Sequence, residues 1–384
     1  MTGDYKDFPI STSESLSDIE DKAFKLGLDI PYKIRLPSRL KAKGALGIEA
    51  AVLQLLGTWL HKNKYKKVFH SYQQNKPEDF KELCSSIYGI AALSMVDEVW
   101  DKEKNIIQRG LTLQEAKETI ESLRKGRFSN CFKSKYFGIP YIKTERYDKE
   151  FDMPFYNGSK VIDADAFYRI IEKILLDNIE GFSRFKRLKE MIDIEELSDL
   201  LWELLKNSHD HGRSDKFKNI LTTNFRTLII QQQDLTEAYF DTWCGEFPSK
   251  AQSAFRDNWL GIKRGKYSFL DLSVVDFGAG FVDLAKEKLD IGSDMDIFMK
   301  CMEQGWSRFP ERNRGDGLTK ILNTVHKYKG WLRIRTGNLL LEKTFIEGVS
   351  NKVVREDIKV MSSSVVGTSV HVSLPLSDFK GRGN

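Results

Sequence analysis

The segment Trp202-Glu203-Leu204-Leu205-Lys206-Asn207 sets a carboxylate and a carboxamide four residues apart. On a helix that spacing puts Glu203 and Asn207 on one face, one turn from each other. Farther along come Asp276-Phe277-Gly278-Ala279-Gly280, then Gly315-Asp316-Gly317-Leu318, then Gly367-Thr368 ahead of an alternating strand. A carboxylate beside a carboxamide, together with glycine-rich turns that lead into a helix, can orient a water and receive an anion. Glu203 is placed to orient or deprotonate a water. Gly278 and Gly280 let the chain turn where a β-carbon would collide. The amides that open the helix at Leu318 can face phosphates. Each motif alone is common in turns, so their order carries the weight.

In that order the four motifs resemble the Bergerat ATP-binding fold of the GHKL superfamily, shared by DNA gyrase, ninety-kilodalton heat-shock chaperones, sensor histidine kinases and MutL. The resemblance covers roughly residues 160–378 and is silent on the rest. It implies ATP and Mg²⁺ as cofactors, with Glu203 as general base and Asn207 as the side-chain ligand of the metal. It implies that Asp276 reads adenine by accepting a proton of the exocyclic amine, supported by Thr368, with Asp210 near the adenine side. Gly278, Gly280, Gly315, Gly317 and Leu318 correspond to the two glycine boxes. The segment Gly305 to Arg314 corresponds to a mobile lid, from which Arg308, Arg312 or Arg314 reaches the γ-phosphate. There are departures too. Phe277 stands where kinase members commonly have asparagine, and the second box, Gly-Asp-Gly-Leu-Thr, is less glycine-rich than usual. His61 and His70 lack the acidic neighbour of a phosphoacceptor, which argues against a complete sensor kinase.

Composition narrows the class. The chain has 384 residues, 41% of them hydrophobic and 11% aromatic, enough for substantial cores and for two domains. A net charge of +5 from 60 basic and 55 acidic residues is too dilute to identify a nucleic-acid binder. The basic runs Lys33 to Lys43, Lys62 to Lys67 and Arg124 to Lys135 read first as solvated faces and only second as a nucleic-acid surface. Cys84, Cys131, Cys244 and Cys301 are widely spaced, with no zinc-ligand or disulfide pattern, which fits a reducing cytoplasm. No apolar run reaches the roughly 18 residues needed to span a bilayer, and the N-terminus lacks the pattern of a signal peptide. His209-x-His211 suggests a metal pair, but two side chains at that spacing diverge on a helix, so capping or packing is the first reading.

Periodicity supplies the frame. Residues 1–24 read as a flexible arm and residues 25–130 as an N-terminal α/β domain of recognition or regulation, only faintly STAS-like. Within it Leu46 to His61 is a broadly apolar helix, Lys67 to Tyr72 a strand, Pro77 to Trp100 a helical pattern and Leu111 to Arg124 an amphipathic helix. Residues 131–159 read as a linker. Residues 160–378 form the ATP-binding domain, an α/β sandwich whose mixed sheet is covered by helices, and residues 379–384 a tail. In that domain Asp163 to Leu176, Glu195 to Ser208 and Leu318 to Lys329 are helices, and Phe225 to Gln231, Ser268 to Asp276, Trp331 to Arg335 and Ser369 to Leu374 are strands. Residues 234–265, with Trp243, Phe247, Phe255 and Trp259, form an insertion that reads as a self-packed loop before a partner surface.

The leading expectation is therefore a cytoplasmic ATPase or ATP-gated switch that engages a protein partner or a second copy when the lid closes. Two alternatives stay open: a kinase of the anti-sigma or histidine-kinase-like type, and a nucleic-acid-binding or scaffold protein with a degenerate pocket.

Overall fold

The computed structural model describes residues 5–40, 46–71, 80–132, 135–145, 147–148, 150–178, 188–245, 266–286, 288–289, 292–303, 317–346 and 348–376. The chain begins with β1 (Lys6–Pro9) and α1 (Leu16–Lys25). It continues with β2 (Tyr32–Arg35), α2 (Ile48–Lys62), β3 (Val68–His70), α3 (Ile87–Met95), β4 (Glu98–Trp100), β5 (Ile106–Ile107) and α4 (Arg109–Arg124). The strands β1 to β5 lie in sequence order in one sheet, parallel as far as β4 and antiparallel at β5. This is the α/β arrangement expected for the N-terminal region.

Two expectations for this half need correction. The presumed flexible arm holds β1, which pairs in parallel with β2, and α1. Local chemistry explains α1: Ser15 and Asp18 close a reciprocal capping box, and Leu16, Ile19 and Ala23 give the helix a buried stripe. The helical pattern from Pro77 to Trp100 breaks into a short 3-10 turn at Leu83–Ser85, α3 and β4. An unbroken apolar run fits a buried helix and a buried strand equally well.

The second half contributes β6 (Tyr136–Thr144), β7 (Tyr147–Asp148), the small hairpin β8 (Tyr156–Asn157) and β9 (Lys160–Val161), α5 (Ala164–Asn178) and α6 (Ile194–His211). After these come β10 (Asn224–Thr236), α7 (Glu237–Cys244), β11 (Lys266–Asp276), α8 (Phe281–Ala285), α9 (Asp294–Met302), α10 (Gly317–Lys327), β12 (Trp331–Thr344) and β13 (Ile358–Pro375). Six strands form the large sheet in the order β12-β13-β11-β10-β6-β7, and every pairing in it is antiparallel. The mixed sheet belongs to the N-terminal half instead. The supposed linker at residues 131–159 supplies β6, which pairs with β10 from Asn224↔Lys143 to Gln231↔Tyr136. Gly138 and Pro140 suggested a loop, yet Pro140 sits in the strand opposite Thr227. The insertion begins as core rather than loop, because Phe240 stacks on Tyr267 and Trp243 meets Trp331 edge-on. Phe247, Phe255 and Trp259 lie outside the described residues.

The two faces of the large sheet differ sharply. Toward α6 and α10 it presents Leu270, Leu272, Val274, Val372 and Leu374, all buried. The opposite face carries Arg333, Arg335, Asp271, Ser273 and His371, which are buried and polar. That polar face is covered by α1 and α2. From α1, Glu20 accepts from Arg333 Nη2 at 2.7 Å and from Arg335 Nε and Nη2 at 3.1 Å. Helix α2 is buried around its whole circumference, as a helix between two sheets must be. Its Trp59 Nε1 donates to Tyr32 O of the small sheet at 3.1 Å, and its Gln54 Nε2 donates to Arg335 O of the large sheet at 2.9 Å. A single hydrophobic core runs through both halves.

A polar chain crosses this buried face. Gln233 Nε2 donates to Asp271 Oδ2 at 2.7 Å, and the Ser373 hydroxyl donates to Asp271 Oδ1 at 2.6 Å. His371 Nε2 lies 2.8 Å from the same Ser373 hydroxyl, and its Nδ1 lies 2.8 Å from Ser273 Oγ. The sequence Ser, His, Asp looks like a nucleophile relay, but all of it is sealed in the core. Burial pushes the Asp271 carboxyl up to about 7 and the His371 imidazole down to about 3. The 3.8 Å approach of His371 to Asp271 is therefore a contact of neutral groups between about pH 3 and pH 7. A carboxyl whose folded value lies above its ordinary 3.8 stabilises the fold at low pH and loses that contribution as pH rises towards about 7. Asparagine, like the protonated carboxyl, presents one acceptor and one donor, and it has no such titration. The stability of Asp271→Asn relative to wild type should therefore rise by about 1.4 kcal/mol per pH unit over much of the range from pH 4 to 7. Urea midpoints at pH 5 and pH 8 test this, and a pH-independent difference would show that Asp271 stays ionised.

Candidate functional site

Helix α6 starts where Asp193 accepts the amide of Glu195 at 2.9 Å. Its core stripe is Leu197, Leu200, Leu201, Leu204 and Leu205, all buried. Glu203 and Asn207 flank that stripe at half-buried positions, where the spacing put them. Gly317, the first residue of α10, lies against them. A β-carbon built there would stand 2.9 Å from Glu203 Oε2 and 3.6 Å from Asn207 Nδ2. The start of α10 thus approaches the carboxylate and carboxamide as closely as glycine allows, with Leu318 following in its first turn. Lys320, which the sequence did not single out, donates from Nζ to Glu203 Oε1 at 3.2 Å. Gly315 and the lid arginines Arg308, Arg312 and Arg314 lie outside the described residues.

A second group gathers at the C-terminal end of α6. Asp276 closes β11 with its carboxylate buried in the helix-facing layer. Gly212, which ends α6, packs on it so tightly that a β-carbon would fall 2.5 Å from Asp276 Cβ. Gly278 lies 2.8 Å, by the same measure, from the backbone of Gly212. Gly280 adopts φ +83° and faces the Thr336 hydroxyl. Gly367 adopts φ +72°, and a β-carbon there would land 1.8 Å from the Asp276 carbonyl oxygen, so no other residue fits without moving the chain. Asp276 Oδ1 accepts the Gly278 amide at 3.0 Å and the Thr368 amide at 3.3 Å. Thr368 Oγ1 is 3.4 Å from Thr336 Oγ1. Burial pushes the Asp276 carboxyl up to about 6, against those two amide hydrogen bonds.

The structure therefore brings the chosen residues into two groups. Glu203, Asn207, Gly317 and Leu318 form one, and Asp276, Gly278, Gly280 and Thr368 the other. Helix α6 joins them. Glu203 and Gly212 are nine residues apart, about 13 Å at the rise of a helix. Asp210 sits on the last turn of α6, two residues before Gly212.

His209 lies elsewhere. Its Nδ1 is 3.1 Å from Tyr156 OH, and its ring packs against Tyr156 and Phe151. Burial, reinforced by Arg226 and Arg213, pushes its imidazole down to about 4, so it is neutral at physiological pH. Beneath it, Glu150 accepts from Arg213 and from Arg226, each at 3.0 Å. Burial alone would raise the Glu150 carboxyl, but the two guanidinium groups hold it below the usual range. Sequence reasoning missed this knot because its members come from the presumed linker, from the loop after α6 and from β10. Among the described residues, no cluster of three or more His, Cys, Asp or Glu side chains could hold a metal ion.

No family model, curated protein or solved structure matches this chain. No helix among the described residues is long and apolar enough to cross a membrane.

Proposed function

We propose that this chain binds Mg²⁺-ATP along α6 and hydrolyses it slowly, as an ATPase or ATP-gated switch of the GHKL type. One observation carries the reading: a single helix connects a buried, glycine-ringed carboxylate at its C-terminal end with a carboxylate and carboxamide facing a glycine helix start near its middle. Such an array suits an elongated ligand with a hydrogen-bonding base at one end and anionic oxygens at the other. Asp276 accepts the adenine amine. Among the described residues both amides on Asp276 go to Oδ1, which leaves Oδ2 for the base. Thr368 fixes that carboxylate, and the glycines 278 and 280 let the chain turn tightly beside it.

At the other end the donors fit a hard cation. Asn207 holds Mg²⁺, which supplies charge neutralisation on the phosphates when bound. The α10 amides from Gly317 onward face the same oxygens with the positive end of the helix dipole. Glu203 orients the water and takes its proton, for which Lys320 must release its Oε1. In this reading nucleotide occupancy favours engagement of a partner protein or a second copy.

Isothermal calorimetry with ATP, ADP and GTP in the presence of Mg²⁺ tests the assignment. ATP and ADP should bind, and GTP at least about tenfold more weakly, because a guanine carbonyl facing Asp276 leaves two acceptors opposed. Equal affinity for GTP, or no binding of any of the three, would overturn it.

A further inference from the structure

Helix α2 rests on the back of the segments that carry the residues assigned to the ligand. Successive residues of a strand point to opposite faces. Asp276 enters the layer of α6, and Phe277 therefore turns the other way, onto α2. There it meets Gly57. A β-carbon at Gly57 would lie 2.5 Å from Phe277 Cδ1 and 2.6 Å from Cε1, so the ring lies against bare helix backbone. Phe225, with ring centres 5.2 Å apart, and His61, edge-on at 6.3 Å, complete the seat. Glycine inside a helix is destabilising in itself, and this contact gives it a reason.

A second link runs through residues 366–368. The Val366 amide donates to Thr58 Oγ1 of α2 at 3.0 Å. Gln54 Nε2 of α2 lies 3.5 Å from the carbonyls of Val366 and Gly367. The next residue, Thr368, gives its amide to the Asp276 carboxylate. One route from α2 to Asp276 thus passes through Phe277 alone, and the other through Gly367 and Thr368. The rest of α2 is buried in the common hydrophobic core, and close-packed interiors transmit displacement from one element to the next.

We infer that α2 is the transmission element of the nucleotide site: its seating behind Phe277 and Gly367 holds the Asp276 loop in the form that accepts adenine, and occupancy of the site in turn tightens the seat. The inference rests on the ATP reading and adds its regulation. Linkage is reciprocal, so a signal received by the small sheet and passed to α2 changes nucleotide affinity by the factor with which nucleotide changes the seating of α2.

Two measurements on the full-length protein test it. In wild type, hydrogen exchange of the α2 amides from Gly57 to Lys62 should slow several-fold on saturation with Mg²⁺-ATP. In calorimetry, Gly57→Ala should bind Mg²⁺-ATP about tenfold more weakly, and adding Phe277→Leu should recover most of the loss by shrinking the opposing ring. If wild type binds Mg²⁺-ATP while its α2 exchange stays constant and Gly57→Ala binds equally well, the transmission role falls and the ATP reading stands. If wild type binds no adenine nucleotide, both fall together. Should Gly57→Ala fail to fold, the exchange measurement on wild type decides alone.

Discussion

Replacing Asp276 with Asn should weaken ATP binding by about a hundredfold, with the fold intact. The carbonyl oxygen of Asn can still accept the Gly278 and Thr368 amides, which now go to Oδ1, so the loop keeps its anchors. The position facing the base changes from an acceptor into an NH₂ donor, directly opposed to the adenine amine. Loss of a charge-assisted hydrogen bond is worth about 1.5–3 kcal/mol, and the opposed donor adds to it. Calorimetry reads the affinity, and a melting curve checks the fold. The same carboxyl gives wild type a pH signature. With its ionisation raised to about 6, it is mostly charged at pH 7 and mostly protonated at pH 5. The accepting form dominates above pH 6, so ATP affinity should fall roughly tenfold from pH 7 to pH 5, and Asp276→Asn should lose that dependence. Unchanged affinity in the variant would remove Asp276 from the base site.

Glu203→Ala should abolish phosphate release, by about a hundred- to ten-thousandfold, while ATP binding changes little. The predicted split follows from position. Glu203 lies beside Asn207 and Gly317 at the proposed phosphate end, with no share in the Asp276 group. Its removal also frees Lys320, whose ammonium then faces the phosphates without a carboxylate partner, so binding should hold or improve slightly. Single-turnover phosphate release alongside nucleotide binding separates the two effects. A variant that still passes phosphate to a partner protein would favour the kinase alternative, and one that hydrolyses at the wild-type rate would take the base role from Glu203.

The helices of the site were legible because their stripes are long. The run from Leu197 to Leu205 fixes both α6 and the outward placement of Glu203 and Asn207, and α10 begins at the glycine box itself. The strand ending at Asp276 was equally clear from its apolar alternation. Other features rest on information that a local reading does not weigh. Helix α1 is announced by the Ser15 and Asp18 capping box and by the short stripe Leu16, Ile19 and Ala23 inside a polar stretch. β12 and β13 run well past their apolar cores through an extension that is bulged around Gly337. Lys320 reaches Glu203 across 117 residues of chain, which no spacing rule anticipates. The contact of α2 with Phe277 had a sign that passed unread: Gly57 interrupts an otherwise strongly apolar helix, and an interior glycine marks a close approach.

The pairing of β6 with β10 decides where this polypeptide tolerates scission. A fragment starting at residue 160, the natural choice if the preceding stretch were a tether, would strip β10 of its neighbour from Asn224 to Gln231. It would also orphan Arg226, whose carboxylate partner Glu150 would be gone. A bare central strand of that length invites self-association through its backbone. Dissection of the C-terminal half should therefore begin ahead of Tyr136, so that the sheet keeps its own border.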